Sequence, residues 1–323
     1  MSWVTVLVEH RQGTIRDVTL EMLAAARGLA GEMGGKVEAL LLTDRETLLE
    51  PLAGQADRIV CVTHPELGQF NAERYQRVLA KLVSERRPDV VMVAHSAFGT
   101  DLAPSLAVEL GAGLVSDAAG FRWTGEGLVV TRGMYGSKLN ADRLVSSKPV
   151  LVMVRQSNFR PGPAGLATQV ERWDASGVLA GGLRTRFVSL DEIPSMGIDI
   201  TKADVIIGVG RGLKEVANLT PVKELADAIG AVVAGSRPVI DAGWLPKDCQ
   251  VGSSGKTVKP RLYIALGISG AFQHVAGMRA SETIIAVNKD PNAPIFSIAH
   301  YGIVDDMHKL VPALKQQLAE LKA

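Results

Sequence analysis

LYIALGISGAFQHVAGM, Leu262 to Met278, opens as a short apolar run and then breaks into small residues at Gly267, Ser269, Gly270 and Ala271 before a lone His274. An apolar run of that length reads as a buried strand. Glycines just beyond it let the backbone approach another group closely, and a helix opening there leaves free N–H donors for an anion. A strand, a tight turn and a helix start are the joint of a parallel α/β sheet. The flanking sequence repeats it.

Outward from this joint, further strands are predicted at ADVIIGVG (203–210), AVVAGS (231–236), ETIIAVNKD (282–290) and PIFSIA (294–299). Helices are predicted at LKEVANLTPVKELADAIG (213–230), GAFQHVAGM (270–278) and VDDMHKLVPALKQQLAELK (304–322). The N-terminal half alternates in the same way. WVTVLVEH, KVEALLLT, RIVCVT and DVVMVAHS read as strands, and VTLEMLAAARGLAGEMG, FNAERYQRVLAKLVSERRP and DLAPSLAVELGAG as helices. From Val115 to Asp191 the pattern turns β-rich, with GLVVTRGMYG, SSKPVLVMVRQ and TRFVSL as its pieces and FRPGPAGLA as a break. The fold class is therefore α/β in two domains. A parallel-sheet domain is expected over 1–190 and a doubly wound one over 200–323, joined by a linker at about Arg184–Thr201.

At 323 residues the chain suits about two domains of ~100–200 residues each. Its 35 basic residues nearly balance 34 acidic ones, which gives no electrostatic reason to expect nucleic acid or an anionic membrane as partner. Two cysteines, Cys61 and Cys249, are too few for a disulfide framework and form no metal-binding motif. No uncharged run reaches the roughly 18–20 apolar residues that span a bilayer, so membrane insertion is not expected. The N-terminus enters a strand with no basic leader, which points to a cytoplasmic protein.

In open parallel sheets, ligands sit beyond the carboxyl ends of the strands. That directs attention to Gly208–Gly212, Ser236–Arg237, Gly267–His274, Asn288–Asp290 and the loop before Asp305. GVGRGL (208–213) has Leu213 where a dinucleotide fingerprint needs its third glycine. It is either a bare tight turn or, with Arg211 at its tip, an anion contact. QVGSSGKTV (250–258) has Gln250 where a Walker A loop needs glycine, which disfavours an ATPase. The loop is either a surface turn or one that offers the hydroxyls of Ser253 and Ser254 to a ligand. His274 is either a core histidine or part of the same site. The residues alone thus point to a phosphorylated cofactor, dinucleotide in kind, in the second domain.

Taken in order, VGRGL, AGSRPVIDAGW, QVGSSGKTVKPRLYIALGISGAFQHVAGM, TIIAVNKDPNAPIF and YGIVDDMHKLVPAL resemble the alpha subunit of electron transfer flavoprotein almost continuously from Ala203 to Leu314. The first domain resembles the family's N-terminal domain more loosely. The resemblance implies an FAD-binding domain at 200–323. Arg211 would approach the FAD, and Ser236 and Arg237 would lie by the isoalloxazine ring, where a cation favours added negative charge. Ser254 would reach the flavin N5, with Gln250, Val251, Gly252 and Ser253 in the same loop. Gly267, Ser269, Gly270, Ala271, Phe272 and Gln273 would form the pyrophosphate and ribityl turn. His274 would meet the flavin O2 edge, Asn288 the adenosine side, and Asp306 and Met307 the last contact segment. Ser253-Ser254 stand where many relatives carry Gln-Thr or Gln-Ser, and His300 stands where an acidic residue is common. Each would alter the flavin potential.

The implied function is electron transport. A heterodimer with the beta subunit would take electrons from a flavoprotein dehydrogenase of the acyl-CoA class and pass them to a quinone reductase or another acceptor. The alternative within the family is a bifurcating complex using NADH and ferredoxin. Outside it stands a nucleotide-binding regulatory protein, its first domain resembling universal-stress-type sensors.

Overall fold

The computed structural model describes residues 2–135, 139–189 and 199–322. The chain divides into two units, Met1–Leu190 and Asp191–Ala323. In chain order the first holds β1 (Trp3–Leu7), a hairpin of β2 (His10–Arg11) and β3 (Thr14–Ile15), α1 (Asp17–Glu32), β4 (Lys36–Thr43), β5 (Arg58–Thr63), α2 (Ala72–Arg86) and β6 (Val90–Ala94). Then come α3 (Ala97–Leu110), β7 (Gly113–Thr124), β8 (Gly127–Met134), β9 (Leu139–Val145), β10 (Val150–Val154), β11 (Gln169–Arg172) and α4 (Ser176–Leu179).

Its nine-stranded sheet runs β11-β5-β4-β1-β6-β10-β7-β8-β9. Pairing is parallel from β11 to β7 and antiparallel across β7, β8 and β9. Alternate residues serve opposite faces, as a pleated strand requires. Val4, Val6, Ala39 and Leu41 pack with Met22, Leu23 and Ala26 of α1. Leu7, Leu40 and Leu42 pack with Val78, Leu82, Leu102 and Leu106 of α2 and α3. Strands with both faces covered read as the unbroken apolar runs seen in the sequence. Side-chain caps start the two long helices of the second face: Asn71 accepts from the Arg74 N–H, and Ser96 from the Gly99 N–H.

The second unit holds β12 (Val205–Val209), α5 (Leu219–Ile229), β13 (Val232–Gly235), α6 (Arg237–Asp241), β14 (Leu262–Leu266), α7 (Phe272–Val275), β15 (Thr283–Asn288), β16 (Tyr301–Val304) and α8 (Met307–Lys322). Its five strands are all parallel, in the order β13-β12-β14-β15-β16. Strand order reverses between β12 and β14, and the carboxyl ends of those two strands define the crevice where such sheets bind ligands. One core surrounds this sheet, with Ile206, Ile264, Leu266 and Ala286 from the strands and Val222, Leu225 and Val311 from α5 and α8.

Three sequence expectations need correction. PIFSIA is not a strand. Pro294–Ser297 forms a 3-10 turn, and the fifth strand is β16, a few residues later. TRFVSL contains no strand over its described residues 185–189, and the edge strand of the first sheet is instead β11. GAFQHVAGM yields only the single turn α7, because Gly277 lies against the backbone of Gly252, where a Cβ would come within 2.5 Å of the Gly252 nitrogen. The middle of the linker expected at Arg184–Thr201 falls at 190–198, outside the described residues. No helix among the described residues is long and apolar enough to cross a membrane.

Candidate functional site

Beyond the carboxyl ends of the second unit's strands lies a cavity of about 640 Å³, within the size range of small-molecule and cofactor pockets. The first unit's own cavity, beside His10 and Tyr75, measures about 20 Å³ and has room for no more than a water.

The cavity is built where backbones meet. The turn after β12 and the turn after β14 touch directly: the Gly210 N–H donates to the Leu266 carbonyl at 2.9 Å, and the Gly212 N–H to the Gly267 carbonyl at 3.1 Å. A Cβ at Gly210 would come within 2.2 Å of the Gly267 oxygen, so only glycine permits this approach. Gly270 closes the second turn at φ +86°, pressed against the backbone of Ile295, whose N–H donates to the Ser269 carbonyl at 3.1 Å.

A third wall is the loop Gln250–Lys256. The Val251 N–H donates to the Gly235 carbonyl at 2.9 Å, and the Lys256 N–H to the Gln250 carbonyl at 2.7 Å, so the loop folds back on itself beside β13. The Ser253 N–H donates to the Gln273 carbonyl at 2.7 Å, which joins this loop to α7. Within it the Gln250 side-chain amide donates to the Ser254 hydroxyl oxygen at 2.8 Å. The hydroxyl hydrogen of Ser254 is thereby left to be given elsewhere. Lys256 turns to Asp199 at 3.5 Å and does not line the cavity, unlike a Walker lysine.

Of the residues predicted for the site, Arg211, Ser236, Arg237, Gln250, Val251, Gly252, Ser253, Ser254, Gly267, Ser269, Ala271, Gln273, His274, Asn288, Asp306 and Met307 all line this cavity. Gly270 and Phe272 do not. Gly270 shapes the turn from behind, and Phe272 sits half-buried on α7. Asn288 acts as a pin, its amide nitrogen donating to the Ile268 carbonyl at 2.9 Å and its oxygen accepting from the Asp290 N–H at 3.0 Å. His300 also stands off the cavity, its Nδ1 accepting from the Ile284 N–H at 2.9 Å, so its expected effect on the site has no contact to act through.

Lys214 and Lys289 also line the cavity and were not singled out from the sequence. Lys289 pairs with Asp306 at 2.7 Å and holds that carboxyl at about 2, helped by the His308 N–H. With Arg211 and Arg237, four cationic side chains ring an opening whose floor is glycine backbone. That is the donor set for a diphosphate-bearing, anionic ligand.

His274 is a buried polar group on the cavity wall, and its Nε2 lies 3.0 Å from the hydroxyl of fully buried Tyr263. Burial pushes the imidazole pKa down to about 4, with the Val251 backbone opposing, so the ring is neutral at physiological pH. Among the described residues its buried Nδ1 has no hydrogen-bond partner. An unsatisfied buried nitrogen on a cavity wall is where a bound group supplies the missing partner. The glycine cradle, the ring of cations and this open nitrogen together fit a bound flavin dinucleotide.

Comparison with known proteins gives the same direction. The family model for the electron transfer flavoprotein domain matches residues 4–177, and that for the electron transfer flavoprotein FAD-binding domain matches residues 199–279. The electron transfer flavoprotein subunit alpha of Thermoanaerobacterium thermosaccharolyticum is 37% identical over 99% of this chain and 98% of its own. The subunit of the same name from Bacillus subtilis is 37% identical over 98% of both chains. A protein of Anaerotignum propionicum, named acryloyl-CoA reductase electron transfer subunit beta, is 35% identical over 99% of this chain and 96% of its own.

Proposed function

This chain belongs to the alpha-subunit family of electron transfer flavoproteins, and we propose that the cavity beyond the second unit's strand ends is where it holds its FAD. As a member it binds FAD, serves electron transfer and pairs with a beta subunit. Bound FAD supplies the redox chemistry by storing electrons on its isoalloxazine ring.

What remains for the chain is to hold, orient and tune. The Gly267 N–H is spent on the Val287 carbonyl, so the N–H groups of Ile268–Ala271 and the side chains of Arg211 and Ser269 would take the pyrophosphate. Ser254, its oxygen already engaged by Gln250, would give its hydroxyl hydrogen to the ring. Arg237, exposed at the rim beside Ser236, places positive charge where reduction adds negative charge. His274 would meet the carbonyl edge, Asn288 would lie on the adenosine side, and Asp306 with Met307 would form the last contact segment. No general acid or base is required of any of them.

The observation that carries this reading is the convergence of all five strand-end segments on one cavity with a glycine floor and a cationic rim. We place a flavoprotein dehydrogenase of the acyl-CoA class upstream and a quinone reductase or other acceptor downstream; the name of the Anaerotignum relative supports a partner that acts on acyl-CoA substrates and does not fix the direction of transfer. The domains expected at 1–190 and 200–323 act respectively as heterodimer scaffold and cofactor carrier, in the cytoplasm. The test is flavin content and reductive titration of the chain co-purified with its beta subunit. One FAD per heterodimer, reducible by an acyl-CoA dehydrogenase with its substrate, is the expected result. A second FAD reducible by NADH would instead make the complex a bifurcating one working with ferredoxin. A folded heterodimer without flavin overturns the proposal.

A further inference from the structure

Tyr263 is the second residue of β14, fully buried, and does not line the cofactor cavity. Among the described residues its hydroxyl meets one polar group, the Nε2 of His274 at 3.0 Å. Room for that hydroxyl is made by the neighbouring strand: a Cβ at Gly208 would come within 2.1 Å of the tyrosine oxygen. Gly208 pairs directly with Ala265, so any larger residue there would press on the tyrosine from the sheet itself.

A buried hydroxyl left without an acceptor is costly, and this one has only Nε2 to donate to. Burial also pushes the phenol pKa up, so the hydroxyl keeps its proton. If Nε2 accepts, a neutral imidazole must carry its hydrogen on Nδ1, the nitrogen that lacks a partner among the described residues. We infer that Tyr263 is a positioning residue: it fixes His274 in the Nδ1–H tautomer and so makes it a permanent donor into the cavity, toward the carbonyl edge of the bound flavin. The flavin half of this inference rests on the FAD site proposed above.

The experiment uses the FAD-loaded heterodimer labelled with 15N-histidine, with His274 assigned by the signal missing from His274→Gln. In the wild type the two-bond 1H–15N correlations should show a single Nδ1–H tautomer at neutral pH. In Tyr263→Phe the tautomer ratio should move by about fivefold or more toward Nε2–H, the scale of one lost buried hydrogen bond. The flavin midpoint potential should shift with it. An Nε2–H pattern in the wild type overturns the inference, and that spectrum decides the matter even if Tyr263→Phe does not fold. An unchanged tautomer in a folded Tyr263→Phe also overturns it. A changed tautomer with unmoved potential and flavin spectrum overturns the placement of His274 at the flavin, whereas absence of flavin from the wild-type cavity would overturn the site itself.

Discussion

Arg237 holds Asp241 at 3.4 Å with both side chains about two-thirds exposed. A pair so open to water adds little stability, in the range of ~0–1 kcal/mol. Its charge nevertheless faces the site. Arg237→Ala is expected to leave the urea midpoint of the heterodimer nearly unchanged while lowering the flavin midpoint potential, by an amount on the order of 1 kcal/mol per electron. Spectroelectrochemical titration checks the second part, and an unmoved potential would put Arg237 outside the flavin's field. His274 makes the opposite kind of prediction, one of stability. Its folded pKa of about 4 lies below the ordinary 6.5. Between those values the unfolded chain binds a proton that the folded chain does not, so stability falls as pH drops from about 6.5 toward 4. The full loss is about 3 kcal/mol. Urea unfolding at pH 7.5 and pH 5 should show this slope, and His274→Gln should flatten it.

Turns rather than strands carry the chemistry at the level of elements. Gly230 and Gly270 both sit at positive φ, +66° and +86°, yet a Cβ at Gly230 meets nothing within 4 Å whereas one at Gly270 meets the Ile295 nitrogen at 2.2 Å. Gly230→Ala therefore costs about 1–2 kcal/mol of stability and should leave FAD in place. Gly270→Ala must also move the turn after β14, and FAD retention on gel filtration should fall by about tenfold or more. Equal retention in the two variants would remove the turn from the cofactor site. The same elements show what the sequence makes legible. β12, β14 and β15 are buried runs, and buried runs announce themselves. PIFSIA misleads because Pro294 opens a 3-10 turn where its missing N–H costs nothing, and the Ile295 N–H is spent on Ser269 instead of a ladder. The true edge strand, Tyr301–Val304, is short and mostly exposed, so it lacks the apolar run that reveals its neighbours. Most of the site was legible because strand ends locate it. Lys214 was not, since an exposed loop lysine has no pattern of its own; Lys289 lay inside the strand-end segment Asn288–Asp290 without being singled out, and Tyr263 reads simply as core.

At the scale of the whole molecule, each unit carries its own apolar core, and the 640 Å³ cavity is lined by residues of the second. A ligand that binds one folded unit stabilises that unit by mass action, about 2.7 kcal/mol at a hundredfold excess over its Kd. Calorimetry of the heterodimer with and without added FAD should therefore raise the transition in which the second unit melts and leave the first unit's own melting in place. A single transition that moves as a whole would mean the units unfold together. The order of the second sheet has one more consequence, and it concerns how the protein is made. β14 lies between β12 and β15, yet it is translated after β13, and the cavity walls run from Gly210 to Met307. At ~5–20 residues per second, roughly 5–20 s of synthesis separate the first wall from the last. From the synthesis of β13 (Val232–Gly235) until that of β14 (Leu262–Leu266), β12 has one edge paired and the other waiting on the ribosome's progress, and until the last wall is made free flavin finds an incomplete site. Cofactor loading belongs to the end of translation, and the open edge of β12 is what a nascent-chain chaperone would need to cover until then.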